Sequence, residues 1–479
     1  MAEFQHPFQC VQFVKRKAGD SNSVLVAAAG AKLFSYAAEN GQRLSVWPQD
    51  GPPEKKRKVD PSEQSSVAPA KKPNAWTSIP ILTPTPDGEY LVALTGEDKC
   101  IRVFQIEEDG SFEQLSARPV PKRPCAITFM DNNDILLGDK FGDVYSMPLI
   151  PSTKPRATSK YSRQEKPKKL AATNLTVHTQ RNLRSLEMQK QQRASKNPNK
   201  VKENNAEKPT FDVDLLLGHV SLLTDVAFVS LSTSDPSSTR KRSYILSADR
   251  DEHIRVSRGP PQAHIIENHC FGHTAFITKL CIPAWAPEIV ISGGGDPYLL
   301  VWNWTTSQIL HKILLVKETP EATANEVVVR GIWAASFGSK QLVFVALEGQ
   351  PDLQTFTLDS KGTLTPEQPL KTTGNILDIQ PREDINTVLI SVDNIRQPGS
   401  TQEWRSSPSP APLLEAFQLK PGTEISEWTT VSDNMLSTIN ASNTVAISAT
   451  TEGKDKTALN NSLYGLENLR KKAFGEDDG

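Results

Sequence analysis

The feature that most constrains the fold of this chain is a β-hairpin pattern that recurs along it. Each copy has a short apolar strand, a tight turn rich in Asp and Gly, and a second strand in which apolar and polar residues alternate. Four plain copies are LVALTGEDKCIRVF (91–104), DILLGDKFGDVYSM (134–147), SYILSADRDEHIRVS (243–257) and EIVISGGGDPYLLVW (288–302). The sequence therefore predicts a repeat protein built almost entirely of β-structure.

Two copies resemble the blade of WD-repeat proteins. In the second of them, Ser292, Asp296 and Trp302 follow His273 at the spacing of the buried hydrogen-bonded chain that ties the turn of such a blade to its strands. We interpret this set as structural. The alternative, a hydrolase triad, is disfavoured because no Gly-x-Ser-x-Gly elbow or other nucleophile motif accompanies it.

The first of the two copies keeps only part of this set. His219, Ser247 and Asp251 take the places of the histidine, serine and aspartate, but Ser257 stands where the other copy has its tryptophan. The buried chain of this blade is therefore expected to be incomplete.

The whole pattern predicts an all-β, seven-bladed WD-repeat β-propeller with disordered basic insertions and a C-terminal helix. Seven blades of 40 to 50 residues account for roughly 300 to 350 of the 479 residues, so the remainder must be insertions and tails. The predicted organisation is a first blade region (1–47), a Pro/Ser/Lys-rich linker (48–73), blades two and three (74–150), a basic insertion (151–210), blades four to seven (211–450), and a helix with an acidic tail (451–479).

The basic insertion carries most of the charge asymmetry of the chain. Residues 151–208 contain ten Lys, five Arg, four Glu and no Asp, which gives a net charge of +11 in a protein whose formal net charge is -1. Such a polar segment is expected to remain disordered between blades three and four, either as a solvated insertion or as a tether for nucleic acid.

A second basic run, PPEKKRKVD (52–60), lies in the linker. Its clustered cations Lys55, Lys56, Arg57 and Lys58, flanked by prolines, are typical of a signal read by a nuclear import receptor. Contact with RNA and a plain solvated loop are the alternatives. The preferred interpretation predicts a nuclear protein.

At the C-terminal end, KTALNNSLYGLENLRKKAFGEDDG (456–479) places leucines at helical spacing and a glycine after a basic run. The spacing predicts one amphipathic helix from about residue 459 to 473. Its apolar face is expected to pack on the propeller rim or to dock on a partner.

Nothing in the sequence indicates an active site. The glycines at 293–295 precede a strand, whereas a loop that holds a dinucleotide or S-adenosylmethionine opens into a helix. The five cysteines are widely spaced and predicted to be reduced, and no apolar run is long enough to span a bilayer. No cofactor, metal or membrane is therefore expected for this chain.

The turn 248–253 (ADRDEH) is the strongest candidate for contact with a protein. Aligning the blades by their turns places Lys140 of the preceding blade over Arg250, so both cations are expected at one rim. A partner carboxylate and an ion pair within the blade are the two alternatives for Arg250. The candidate set for partner binding consists of Arg250, Lys140, Asp249, Glu252 and His253.

Taken together, LLGHVSLLTDVAF, SADRDEHIRVS, ISGGGDPYLLVWNW, GDKFGDVY and LYGLENLRKK resemble the fungal form of the non-catalytic WD-repeat subunit of tRNA (guanine-N(7))-methyltransferase. The resemblance covers the propeller core and the C-terminal end, but not the segments 151–208 and 395–415. It implies a subunit that binds and stabilises a separate catalytic methyltransferase and helps to position tRNA, with S-adenosylmethionine bound by the partner only. It also implies that the partner docks against the middle blades. A nuclear WD-repeat scaffold or adaptor for another complex is the alternative function.

Overall fold

A computed structural model describes residues 3–17, 23–49, 76–151, 184, 187–188, 212–232, 241–316, 327–406, 411–420, 426–442, 444–448 and 453–471. The described residues form seven antiparallel sheets of four or five strands, and in each sheet successive strands are neighbours. The predicted seven-bladed WD-repeat propeller is confirmed. The basic run at 55–58 and nearly all of the insertion 151–210 lie outside the described residues.

Blades one to four have these strands: β2 (Cys10–Lys15), β3 (Ser23–Ala29), β4 (Lys32–Ala37) and β5 (Arg43–Trp47) in blade one; β6 (Ile81–Pro84), β7 (Tyr90–Thr95), β8 (Cys100–Ile106) and β9 (Phe112–Pro119) in blade two; β10 (Pro124–Phe129), β11 (Ile135–Asp139), β12 (Asp143–Met147) and β13 (Asp214–Gly218) in blade three; β14 (Leu223–Ser232), β15 (Lys241–Asp249), β16 (His253–Arg258) and β17 (Ile266–Phe271) in blade four.

Blades five to seven continue the series: β18 (Ile277–Cys281), β19 (Ile289–Gly294), β20 (Tyr298–Asn303) and β21 (Gln308–Leu314) in blade five; β22 (Val329–Phe337), β23 (Lys340–Leu347), β24 (Asp352–Leu358) and β25 (Leu364–Pro366) in blade six, where β26 (Leu370–Lys371) also pairs with β24; β27 (Asn375–Arg382), β28 (Thr387–Asp393), β29 (Leu414–Leu419) and β30 (Trp428–Val431) in blade seven. The described helices are α1 (Asn434–Ala441) and α2 (Gly453–Leu463), with 3-10 turns at Glu383–Ile385 and Glu467–Leu469.

Two predicted boundaries are wrong. The insertion 151–210 does not lie between blades three and four but inside blade three, because β13 follows it and lies beside β12 as the outer strand of that blade. Blade seven ends at Val431 rather than near residue 450, and α1 follows it. The pattern misplaced the first boundary because the Gly218-His219 pair ends an outer strand and does not begin a new blade.

The apolar core lies between the blades. Inner strands such as β3 (SVLVAAA) and β28 (TVLISVD) are buried on both faces, since each blade is covered by a neighbour on either side. The outer strand β21 (QILHKIL) is largely exposed or half-buried. One cluster joins Phe34 of blade one to Leu389 of blade seven and to Ile439 of α1.

Aspartates on inner strands bind the next blade. The Asp225 carboxylate accepts a hydrogen bond from the Leu280 amide at 2.9 Å, which joins blade four to blade five. The Asp378 carboxylate accepts one from the Val11 amide at 2.8 Å, which joins blade seven to blade one. Both aspartates follow a bulge in the strand pairing, which turns the side chain out of its own sheet.

The ring is also closed by a strand pair outside the blades. Strand β1 (Glu3–Gln5) pairs with β31 (Ala446–Ser448), and the His6 amide donates to the Val445 carbonyl at 2.8 Å. The Ser391 hydroxyl of blade seven donates to the Phe8 carbonyl at 2.5 Å. These contacts tie the two ends of the propeller together without sharing a strand between the first and last blades.

The five cysteines are free thiols. None of the described helices combines the length and apolarity that a membrane span requires.

Candidate protein-docking site

Blade five contains the polar chain predicted from its sequence. The Trp302 indole N–H donates to Ser292 Oγ at 2.8 Å, and Ser292 Oγ lies 2.7 Å from Nε2 of His273. His273 Nδ1 lies 2.7 Å from Oδ2 of Asp296. Burial acts to raise the pKa of Asp296, but hydrogen bonds from His273 and Thr274 outweigh it, so the pKa falls below its usual value. The carboxylate is thus charged and its oxygens are satisfied, as a structural role requires.

In blade four the row of polar side chains contains a different aspartate from the one predicted. His219 Nε2 lies 2.8 Å from Ser247 Oγ, but the carboxylate near its Nδ1, at 3.9 Å, belongs to Asp249. Asp251 does not join this chain: its side chain is about half exposed, and Lys471 lies 3.1 Å away. The assignment of Asp251 to the buried network, and of Asp249 to an exposed docking surface, is therefore wrong.

The geometry of the turns explains this difference. Asp249 is the last residue of β15 and occupies the backbone position that Gly294 has in blade five. A Cβ at Gly294 would lie 1.9 Å from the Phe276 carbonyl oxygen, so blade five supplies its carboxylate from two residues further on. Equal spacing along the sequence therefore does not give equal positions in the two turns.

Two buried histidines make stability depend on pH. Burial, together with the Arg255 guanidinium, lowers the pKa of His219 to about 4, and burial lowers that of His6 to about 4. Unfolded histidine titrates near 6.5, so below that pH the unfolded chain binds protons that the folded chain does not. We expect the contribution of these histidines to the unfolding free energy to be fully present above pH 6.5 and to fall by about 1.4 kcal/mol per pH unit per histidine down to about pH 4. Buried Asp378, whose pKa burial raises to about 6, acts in the opposite direction below that pH.

Chemical denaturation at pH 7, 6 and 5 measures this slope. His219→Gln should flatten it by one histidine's share, and the same substitution at His264, which is exposed, is the matched control. Identical slopes for His219→Gln and the unmodified chain would contradict this assignment.

Arg250 lies in the β15–β16 turn but binds neither Asp249 nor Asp251. Its Nε donates to the Leu469 carbonyl at 2.7 Å and its Nη2 to the Arg470 carbonyl at 3.3 Å. These acceptors belong to the C-terminal segment. The ion pair within the blade is thus not formed, and the guanidinium already has partners within the chain.

The other predicted docking residues differ in whether they are already paired within the chain. Lys140 is exposed at the equivalent turn of blade three. Its pKa is lowered mainly by partial desolvation of its ammonium group and, to a smaller extent, by the positive charge of Arg123. His253 is half-buried and its ring meets Phe271 edge-on at 5.2 Å. Glu252 has a left-handed backbone conformation (φ 74°), and its carboxylate lies 3.1 Å from Lys471 Nζ. Lys140 and His253 therefore remain available to a partner, whereas Glu252 is paired.

Sequence reasoning missed an apolar set on the same part of the propeller. Phe141, Val220 and Phe271 are 66%, 108% and 63% exposed. The His219 amide donates to the Gly142 carbonyl at 2.7 Å, which brings the loops of Phe141 and Val220 together. We call Phe141, Val220, Phe271, Lys140 and His253 the blade three–four face. Exposed aromatic and aliphatic side chains beside a cation are typical of a protein-binding surface.

The predicted single C-terminal helix is wrong. Helix α2 begins earlier, at Gly453, and ends at Leu463. A 3-10 turn, Glu467–Leu469, follows Gly465, whose φ of 158° interrupts the helix. Lys472 and Ala473 lie outside the described residues. The leucine spacing is helical in sequence, but the segment after Leu463 follows the propeller surface instead.

Within the described ranges, no group of three or more His, Cys, Asp or Glu side chains is placed to hold a metal ion. The glycines at 293–295 lie between β19 and β20, so this loop opens into a strand. This arrangement lacks the helix N-terminus that binds the phosphates or the carboxylate of a cofactor.

The matching family and the similar proteins all carry the same protein name. The family described as "tRNA methyltransferase TRM82 WD40 domain" matches residues 25–417. Proteins named tRNA (guanine-N(7)-)-methyltransferase non-catalytic subunit trm82 are 51% identical in Aspergillus oryzae and 48% identical in Aspergillus clavatus, each over all of both chains. The protein of that name from Coccidioides immitis is 41% identical over 95% of this chain and 96% of its own. This chain belongs to the TRM82 family, the non-catalytic WD-repeat subunits of tRNA (guanine-N(7)-)-methyltransferase.

Proposed function

We propose that this chain binds and stabilises the catalytic subunit that forms N(7)-methylguanosine in tRNA, and that it helps to position the tRNA. The observation that carries the proposal is the similarity over the whole chain to proteins named as non-catalytic subunits of that enzyme. S-adenosylmethionine is then bound by the catalytic subunit, and this chain contributes no group to methyl transfer.

The catalytic subunit docks on the blade three–four face. The exposed rings of Phe141 and Phe271 and the side chain of Val220 supply apolar area, and Lys140 supplies a cation. The partner surface that fits it is apolar with at least one carboxylate. A partner carboxylate would also favour the charged form of Lys140 and so counter the desolvation that lowers its pKa in the free chain.

Co-purification and an assay of tRNA guanine methylation test the proposal. The catalytic subunit should co-purify with this chain and should lose most of its activity or its half-life when produced alone. Phe141→Asp should abolish co-purification while keeping the melting temperature, and Ile385→Asp, at a comparably exposed apolar residue of blade seven, is the matched control. Undiminished activity of the catalytic subunit alone would overturn the proposal.

The tRNA is bound in part by the basic segment 151–208, whose net charge of +11 suits a phosphate backbone. Because this segment joins β12 to β13, it should be replaced by a short Gly/Ser linker and not simply deleted. We expect the complex with this replacement to bind tRNA more weakly. The plot of log affinity against log salt should become shallower by about 0.7–0.9 for each phosphate that the protein no longer neutralises. A full-length variant with the ten lysines changed to glutamine separates charge from length, and an unchanged slope would assign the segment no role in binding.

The nuclear import receptor reads the basic run 55–58, so the complex works in the nucleus. Changing Lys56 and Arg57 to alanine should move a fluorescently tagged chain from nucleus to cytoplasm. The same change at Lys361 and Lys420, which are exposed lysines of blades six and seven, should leave it nuclear. Nuclear retention of the Lys56/Arg57 variant would show that another signal acts.

A further inference from the structure

We propose that residues 463–471 form a strap that connects the turns of four blades, and that Arg250 contributes to binding of the catalytic subunit by holding this strap in place. The inference rests on the proposed function and assigns a positioning role to a residue that sequence reasoning placed in direct contact with the partner. The strap runs from blade seven, through blades six and five, to blade four.

The strap is anchored in blade seven by Tyr464. Its side chain is buried, and its hydroxyl donates to Oδ2 of Asp393 at 2.6 Å. The same carboxylate lies 2.9 Å from Nη1 of Arg396, which is itself 1% exposed. Arg396 Nη2 also donates to Asn460 Oδ1 of α2 at 3.0 Å. This end of the strap is therefore part of the protein interior.

Blade six binds the backbone of the strap on both sides. The Glu348 carboxylate accepts hydrogen bonds from the amides of Gly465, Leu466 and Glu467 at 2.8, 3.1 and 3.3 Å. Arg330 donates from Nη1 to the Leu463 carbonyl at 2.6 Å. A carboxylate that satisfies three consecutive amides fixes the backbone conformation, and such charge-assisted bonds are stronger than neutral ones.

Blade five is engaged by Arg470. Its Nη1 donates to the Gly295 carbonyl at 3.2 Å, and its guanidinium carbon lies 5.4 Å from the ring centre of Phe276. Its Nη2 donates to the Val327 carbonyl at 3.4 Å, on the segment that leads into blade six. The cation of the strap thus lies across the junction of two blades.

Blade four holds the end of the described strap. Arg250 binds the carbonyls of Leu469 and Arg470, and the Lys471 ammonium lies 3.1 Å from both Asp251 and Glu252. Hydrogen bonds to Glu252 and Asp251 raise the pKa of Lys471, so the lysine is charged. His253 of the blade three–four face directly follows Glu252 in the chain.

These contacts give Arg250 an indirect role. The guanidinium uses Nε and Nη2 on carbonyls of the strap, so removal of the Arg250 side chain frees the strap end beside the blade three–four face. Exposed Lys471 at the end of the strap pairs with Glu252, the neighbour of His253 in that face, so the strap end extends the surface offered to the catalytic subunit. Binding should therefore require the strap and Arg250 together.

Coupling between Arg250 and a distant strap contact is the test. The affinity for purified catalytic subunit is measured by titration for the full chain, Arg250→Ala, Glu348→Ala and the double variant. Glu348 lies in blade six, away from the blade three–four face, and acts on the strap from its other side. We expect each single variant to weaken binding at least tenfold. The double variant should bind no more than about threefold more weakly than either single variant, because either substitution alone already disorders the same strap.

Hydrogen exchange of the backbone amides at 465–470 is measured on the same variants as the affinity. Both single variants should speed it, while Arg382→Ala, at an exposed ion pair of blade seven, should change neither exchange nor affinity. If Arg250→Ala weakens binding while Glu348→Ala loosens the strap without affecting affinity, Arg250 contacts the partner directly and the inference is wrong. If the unmodified chain does not bind the catalytic subunit, the proposed function fails as well.

Discussion

Asp393→Ala is expected to lower the free energy of unfolding by about 3–5 kcal/mol, because it leaves a buried charge without its partner. Asp393 is 0% exposed, and its carboxylate binds both the Arg396 guanidinium and the Tyr464 hydroxyl. Without it, Arg396 is held in the interior with no counter-charge, and the strap loses its anchor. Chemical denaturation measures the change.

Asp384→Ala provides the matched control for this prediction. It also removes the carboxylate of an Asp–Arg pair in blade seven, with Arg382, but that carboxylate is 58% exposed. Exposed pairs contribute about 0–1 kcal/mol. Equal decreases in stability for the two variants would mean that burial of the Asp393–Arg396 pair has no energetic consequence.

Trp302→Ala is expected to lower the free energy of unfolding by about 3–5 kcal/mol, since it opens a large cavity between blades four and five. The indole is fully buried and packs in the cluster that joins these blades. Its N–H is also one of the groups that satisfy Ser292 Oγ. The variant should unfold at lower denaturant concentration, and its slope of free energy against denaturant should be that of the unmodified chain.

Trp302→Phe separates the two contributions. It keeps most of the apolar volume and removes the hydrogen bond, which contributes about 0.5–1.5 kcal/mol. Phe141→Ala, at a ring that is 66% exposed, should change stability by less than about 0.5 kcal/mol. A decrease in stability for Trp302→Ala no larger than that for Phe141→Ala would contradict a structural role for the blade-five chain.

The fold could be predicted from the sequence wherever a contact is local. Strand, turn and strand of a blade are consecutive, so the hairpins around Asp251 and Asp296 could be located, and so could the histidine and serine of each chain. The position of Asp249 could not, because it depends on the three-dimensional geometry of the turn and not on spacing. The outer strand of blade three was missed for a related reason, since 66 residues separate it from its neighbour β12.

The candidate site could be predicted even less well, because its contacts join segments that are far apart in sequence. The turn of Arg250 could be identified as functional by its composition, but the acceptors of its guanidinium lie 219 and 220 residues away in sequence. Helical spacing of leucines after residue 463 predicted a continuous helix, because propensity is a weak guide where tertiary contacts fix the backbone. Glu348 satisfies three amides there, and no pattern in the sequence relates the two segments.

The way the ring closes has a consequence for synthesis of the protein. Val11 binds Asp378, and β1 pairs with β31. A ribosome that adds about 5–20 residues per second must therefore complete roughly 400 residues or more before these contacts can form. During that time the face of blade one that packs on blade seven, including Phe8 and Phe34, has no neighbour to cover it. We therefore expect the nascent chain to be prone to aggregation through this apolar face until blade seven has been synthesised.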